Sequence, residues 1–263
     1  NHQFLNKTVK NLYQKQASFG FTKEELKLII EPMILDASEA IGSMGNDASL
    51  AVLSDQKPRL FSYFKQLFAQ VSNPPLDAIR EELVTSTEMM VGPQLNLMEE
   101  TSGHCKQIKI YEPILTNKQL DSIRGLKSKG FLTKTIQILF DPYTEDSLEN
   151  SLCKVLDEAE EAVNEGFNII ILSDKGIDKN NAAIPSLLAV SSVHHHLIKM
   201  GLRTSVGLII ETGEPRDVSQ FSLLLGYGVS AVNPWLIFET ISEMLENNNS
   251  KLASYEEGER NYI

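Results

Sequence analysis

Three groups of residues in this sequence have types and spacings that could do chemistry. His194-His195-His196 would be a metal-ligand set if the three imidazoles met at one ion. Their surroundings read as a helix, where successive residues point about 100° apart, so neighbours cannot share a metal. Ligation would need a partner at helical spacing, and His2 and His104 are remote in sequence; one buried and two partly exposed imidazoles are expected instead. Gly226-Tyr227-Gly228 has the look of a phosphate loop, but it precedes its strand, whereas sites in parallel α/β folds lie beyond the strands' carboxyl ends. It is expected to be a helix C-cap. Asp141, Asp174 and Glu211 each follow a strand-like run and could converge at one mouth to hold a cation or polar ligand, although turn and capping duty draws on the same residue types.

A fourth segment, Gly42-Ser43-Met44-Gly45-Asn46-Asp47, is too rich in turn-formers for helix or strand and suits either an internal loop or a surface for close backbone approach. The two cysteines, Cys105 and Cys153, are too few and too far apart for a disulfide framework or a cluster site, and are expected to be reduced thiols.

The elements that must position these residues are clearest from about residue 129 to 250. A glycine, a short β-branched run, polar turn residues and a helical stretch recur there. The strand runs are Thr135-Ile136-Gln137-Ile138-Leu139-Phe140, Asn168-Ile169-Ile170-Ile171-Leu172, Ser205-Val206-Gly207-Leu208-Ile209-Ile210 and Val229-Ser230-Ala231-Val232. Leu148, Leu152, Val155, Leu156, Ala159, Ala162 and Val163 form one helical stripe, with Asp141 or Thr144 to open it. Gly130, Gly166, Gly201 and Gly226 stand where left-handed C-caps would end the preceding helices. Such alternation implies parallel pairing in a partial (β/α) barrel or an open doubly wound sheet. Residues 1–128 read as a helical, loop-rich part: Thr22 and Glu25 make a capping box before a helix running towards Pro32, and Leu60, Phe61, Phe64, Leu67, Phe68 and Val71 form an apolar helical face. Residues 251–263 read as a linker.

Composition narrows the function classes. A formal net charge of -11 makes polyanionic partners such as nucleic acid or an anionic membrane poor fits. No apolar run approaches the roughly 20 residues of a membrane helix, and the start at Asn1 has no signal-peptide core, so a cytoplasmic location and excision from a longer chain are expected.

Several phrases, in order, resemble the large subunit of glutamate synthase. They are Gly42-Ser43-Met44-Gly45-Asn46-Asp47, Leu50-Ala51-Val52-Leu53-Ser54, Tyr63-Phe64-Lys65-Gln66-Leu67-Phe68-Ala69-Gln70-Val71-Ser72-Asn73-Pro74-Pro75, Arg80-Glu81-Glu82-Leu83, Pro113-Ile114-Leu115-Thr116-Asn117, Leu172-Ser173-Asp174, Val193-His194-His195-His196-Leu197 and Gly226-Tyr227-Gly228. The matching region is the central domain of that enzyme, in either its NADPH or its ferredoxin type. Thr85-Ser86-Thr87 departs from the family's usual Met-Ser pair after Val84.

The resemblance implies an α/β fold that is a rudimentary, incomplete (β/α) barrel. It also implies a non-catalytic connector between a glutamine amidotransferase domain and an FMN and iron-sulfur synthase domain of the same polypeptide. FMN, an iron-sulfur cluster, NADPH or ferredoxin, and a small subunit belong on this reading to the parent enzyme. For this chain it implies no catalytic, cofactor or metal residues, and an inactive fragment. Ser43, Met44, Gly45, Asn46 and Asp47 become candidates for contact with the neighbouring domains or the ammonia path. The alternative is an independent α/β small-molecule enzyme with its site at the strand carboxyl ends.

Overall fold

In a computed structural model, the described residues are 11–39, 49, 51–55, 57–64, 76–126, 130–246, 252 and 254–263. Apolar β-branched runs with polar ends build its centre. Strands β3 (Thr133–Gln137), β5 (Ile169–Ser173), β7 (Gly207–Glu211) and β8 (Ala231–Asn233) form a four-stranded sheet in the order β3-β5-β7-β8, parallel throughout. Helices α6 (Ser147–Asn164), α7 (Ser186–Lys199) and α8 (Val218–Gly226) connect successive strands, as parallel pairing requires. The strands neighbour one another in sequence order, so the order never reverses as it does in a doubly wound sheet. Beyond β8 the chain at Pro113, Ile114 and Leu115 adds a further parallel bridge, Ile114 to Val232, with Leu115 N donating to Val232 O at 2.8 Å.

Alternation along the strands divides the core in two. Ile170, Leu172, Leu208, Ile210 and Val232 pack with Val155, Ala159, Val190, Val193 and Leu224 of α6, α7 and α8. Ile169, Ile171, Ile209 and Ala231 point the other way, where Leu120 and Ile123 of α5 (Asn117–Arg124) and Val91 of β1 (Met89–Val91) cover them. β1 pairs antiparallel with β2 (Ile108–Ile110), and the chain just after β1 lies directly against the start of β7. A Cβ on Gly207 would sit 2.6 Å from Gly92 N, which is why that strand opens on glycine.

Every expected strand ends one or more residues later than its apolar run, except the first. Ser173, Glu211 and Asn233 belong to the strands because cross-strand and loop partners satisfy them. The first run breaks at Ile138, whose neighbours Leu139–Phe140 (β4) turn aside to pair antiparallel with Ala182–Ala183 (β6). The stripe of α6 is realised, but its N-cap is Asp146, at φ 56, rather than Thr144 or Asp141.

Residues 11–18 are helical (α1). The Thr22–Glu25 capping box is formed at α2 (Lys23–Glu25), and the helix continues through a π-type stretch, Leu26–Ile30, into α3 (Glu31–Asp36). It therefore passes Pro32 rather than stopping there, the stretch ahead of the proline being wound as a π-helix in which Glu31 N bonds back to Leu26 O. Leu60–Tyr63 makes a short 3₁₀ turn, and Leu67, Phe68 and Val71 of that expected face lie outside the described residues. A short helix α4 (Ala78–Val84) precedes β1, and after β8 come α9 (Trp235–Glu246) and α10 (Tyr255–Tyr262). Asn261 Nδ2 donates to Ile34 O at 2.9 Å, holding α10 on α3.

Candidate functional site

The carboxyl ends of the parallel strands carry one polar residue each, in register: Gln137 opposite Ser173, Ser173 opposite Glu211, Glu211 opposite Asn233. By strand alternation this row shares the face of Ile171, Ile209 and Ala231, at the end where (β/α) folds place their sites. Glu211 is 3% exposed, and its Oε2 accepts from Ser173 Oγ (2.6 Å) and Arg124 Nη2 (2.8 Å), with Lys175 Nζ 3.6 Å from Oε1. Asn233 Nδ2 donates to Leu115 O (2.8 Å) and Asn117 Oδ1 (3.0 Å) at the start of α5, while its Oδ1 is buried with no partner among the described residues. Gln137, with its amide nitrogen turned to the carbonyls, donates to Ser173 O (3.2 Å) and Lys175 O (3.1 Å). The row thus bonds mainly to itself and to α5.

Asp174 follows Ser173 and is wholly buried. Its carboxylate accepts from Thr212 Oγ1 (2.5 Å), Trp235 Nε1 (2.6 Å) and Gly213 N (3.1 Å). Burial pushes it up to about 7 against those donors, and the charge of Glu214 adds to the rise. Glu214 Oε2 caps α7, accepting from Ser186 N (2.8 Å) and Oγ (2.6 Å). Arg216, 1% exposed, reaches Glu25 Oε1 with Nη1 (2.5 Å) and the Phe19 carbonyl with Nη2, and lies 3.8 Å over the Phe21 ring. Burial draws it down to about 10, so it stays charged at neutral pH.

Of the three expected carboxylates, Asp174 and Glu211 are on adjacent strand ends, but Asp141 is not with them. It is exposed and held below its ordinary value by the Thr144 hydroxyl first (2.7 Å) and then the Tyr143 N–H (2.9 Å). Asp141 is a turn residue, and its strand partner β4 has veered off to β6. Asp174 and Glu211 are each held by separate donors. No group of three or more His, Cys, Asp or Glu fit to hold a metal occurs among the described residues.

The histidine triplet lies on α7 and diverges as a helix demands. His196 Nε2 pairs with Glu160 Oε2 at 2.8 Å, and His194 Nδ1 accepts from Arg203 Nε at 2.9 Å. Burial first, then the Arg203 charge, lowers the His194 pKa, consistent with a neutral acceptor. The expected burial pattern is corrected: His195 is exposed, and His194 and His196 are intermediate, because Val193 and Leu197 take the core, His195 points away from it and the other two flank it. The C-cap reading of Gly226-Tyr227-Gly228 holds with a shift. Gly166 and Gly201 are left-handed just past α6 and α7 (φ 93 and 71); Gly130 is left-handed too (φ 79), but α5 ends at Arg124 with Gly125 (φ -81) as its C-cap, and on α8 the left-handed residue is Gly228 (φ 115), not Gly226. A Cβ on Gly228 would stand 2.1 Å from His194 Nδ1. Gly228→Ala is therefore expected to cost more than about 2 kcal/mol in urea denaturation, and a loss under about 0.5 kcal/mol would show that His194 can swing clear.

Ser43, Met44, Gly45, Asn46 and Asp47 lie outside the described residues. Sequence reasoning missed Arg124, Thr212, Glu214, Arg216 and Trp235. The signal available was the density of charge in Glu211-Thr212-Gly213-Glu214-Pro215-Arg216 directly after a fully apolar strand.

Comparison with known proteins places these observations. The family model described as "Glutamate synthase central domain" matches residues 14–263. The chain is similar to the "Glutamate synthase [NADPH] large chain" of Bacillus subtilis, 42% identical over 252 residues that are 96% of this chain and 16% of that protein. It is 41% identical over 249 residues to "Glutamate synthase [NADH]" of Saccharomyces cerevisiae, covering 91% of this chain and 12% of the relative. It is 35% identical over 261 residues to "Ferredoxin-dependent glutamate synthase, chloroplastic" of Oryza sativa, covering 94% and 17%. The chain thus spans less than a fifth of the length of the relatives it matches.

Proposed function

The chain belongs to the glutamate synthase central-domain family, and from that premise we propose that it is a non-catalytic connector within a glutamate synthase large chain. In this reading it holds a glutamine amidotransferase domain and an FMN and iron-sulfur synthase domain in register, in glutamate biosynthesis and ammonia assimilation. The observation that supports it best is that both strand-end carboxylates, Asp174 and Glu211, are buried and bonded to donors of this chain. Glu211 is committed to Ser173 and Arg124, Asp174 to Thr212, Gly213 and Trp235. Catalytic carboxylates need exposure to a substrate, and these two are buried among the chain's own donors.

The residues present do not fit a flavin. The loop after β7 offers no run of free backbone N–H groups: Thr212 N bonds to Asn233 O, Gly213 N to Asp174, Glu214 N to Thr212 Oγ1 and Arg216 N to Gln220 Oε1. Leu120, Ile123 and Val91 fill the sheet face that would line a barrel interior. The sequential strand order and the return of Ile114 to Val232 support the reading of the sheet as the wall of a rudimentary (β/α) barrel plugged by α5. Cofactors, electron donor and small subunit belong in this proposal to the parent enzyme.

The purified chain is expected to show no glutaminase turnover, no glutamate formation and no saturable FMN binding by fluorescence quenching. Turnover above background, or micromolar FMN binding, would overturn the connector role. Within the parent enzyme, replacing Met44 and Asn46 by alanine is expected to raise glutamine hydrolysis relative to glutamate formation. An unchanged ratio would remove that segment from the interdomain contact.

A further inference from the structure

All seven residues of α4 are exposed, and three of them are aliphatic: Ile79 at 87%, Leu83 at 80% and Val84 at 59%. Ile79 and Leu83 stand one turn apart and form a single apolar stripe. The helix is well finished at its ends. Asp77 Oδ1 accepts from Arg80 N at 2.9 Å, and Thr85 Oγ1 donates to Glu81 O at 2.7 Å. Caps hold the ends and nothing holds the face. Isolated helices shorter than about 12 to 15 residues are marginal in water, and most helical stability in proteins comes from packing an apolar face. A helix this short, with its aliphatic residues turned to solvent, is therefore a helix without its packing partner.

What covers the stripe follows from size. The helix is about 10 Å long, so its face is far smaller than the roughly 800 Å² per partner that a free-standing complex buries, a second copy of this chain included. A domain joined through the same polypeptide docks at an effective concentration on the order of mM and needs much less area. The chain spans less than a fifth of the length of the relatives it matches, which leaves ample chain to supply such a domain. We propose that α4 seats Ile79 and Leu83 in an apolar groove on another domain of the same large chain, a helix-in-groove contact that rests on the connector reading above.

Hydrogen exchange of the α4 amides, in the parent enzyme and in this chain alone, tests it. Exchange is expected to be at least about tenfold slower in the parent enzyme. Combining Ile79→Gln with Leu83→Gln makes the face polar while keeping good helix formers, and is expected to return exchange in the parent enzyme to the rate of this chain alone. In this chain alone the double variant is expected to leave the melting temperature unchanged, because both side chains are exposed there. Equal exchange in the two proteins, slow exchange retained by the variant, or a lowered melting temperature of the variant chain overturns the proposal. So does protection in this chain alone that grows with its concentration, which would seat a second copy on the stripe. Exchange does not read turnover, so failure here leaves the connector role standing, and turnover by the purified chain removes that role without altering the exchange result.

Discussion

Arg216→Met is expected to lower the free energy of unfolding by about 3 to 5 kcal/mol in chemical denaturation, the range seen when one partner is taken from a buried ion pair. Arg216 fastens the N-terminal helices to the strand-helix part of the chain. One fork nitrogen holds Glu25, the other holds the Phe19 carbonyl, the guanidinium covers Phe21, and the residue's own carbonyl accepts from Tyr262 Oη at 3.0 Å. Methionine fills the space but leaves the Phe19 carbonyl without that donor. Arg216→Lys restores a charge for Glu25 but cannot reach both acceptors, and is expected to recover only part of the loss. A loss below about 1 kcal/mol for the methionine variant would mean that desolvation of the cation cancels its contacts and that apolar packing alone holds this seam.

Asp174 carries the second large effect, and pH reads it. Its folded value is raised from 3.8 to about 7, so the folded chain binds a proton that the unfolded chain has released. The stabilisation is complete below about pH 3.8 and disappears as pH rises to about 7. The wild-type curve should fall, relative to Asp174→Asn, by up to roughly 1.4 kcal/mol per pH unit in that window. Taking the difference between the two proteins removes the opposite slopes of Glu25, Asp141 and Asp178, whose values are lowered. Asp174→Ala strands the Thr212, Gly213 and Trp235 donors, at about 1 to 3 kcal/mol each before relaxation. Parallel curves for wild type and Asp174→Asn between about pH 4 and 7 would show that the donors keep the carboxylate ionised throughout.

Local pattern made the strand-helix repeat legible. The apolar runs at Ile169–Leu172 and Leu208–Ile210 and the stripe of α6 each depend on residues close in sequence. What escaped depends on distant partners. Ile108–Ile110 and Met89–Val91 are too short to show alternation, yet they pair across the inner face of the sheet. Leu120 and Ile123 look like any amphipathic helix face, and nothing local says that they fill the side of the sheet opposite the connecting helices. Asp141 and Asp174 look alike in sequence. They part only because β4 leaves the parallel sheet while β5 remains at its centre.

The contact between α3 and α10 also has a bearing on synthesis. Ile34 and Asn261 meet across 227 residues of chain. At the roughly 5 to 20 residues per second of a ribosome, Ile34 waits on the order of 10 to 50 s before Asn261 is made. For that interval the side of Ile34 that rests on Gly258 has no cover, and the growing chain offers an apolar surface for chaperones or for self-association. A chain terminated before Tyr255 would hold that surface open indefinitely, with every strand of the sheet already made.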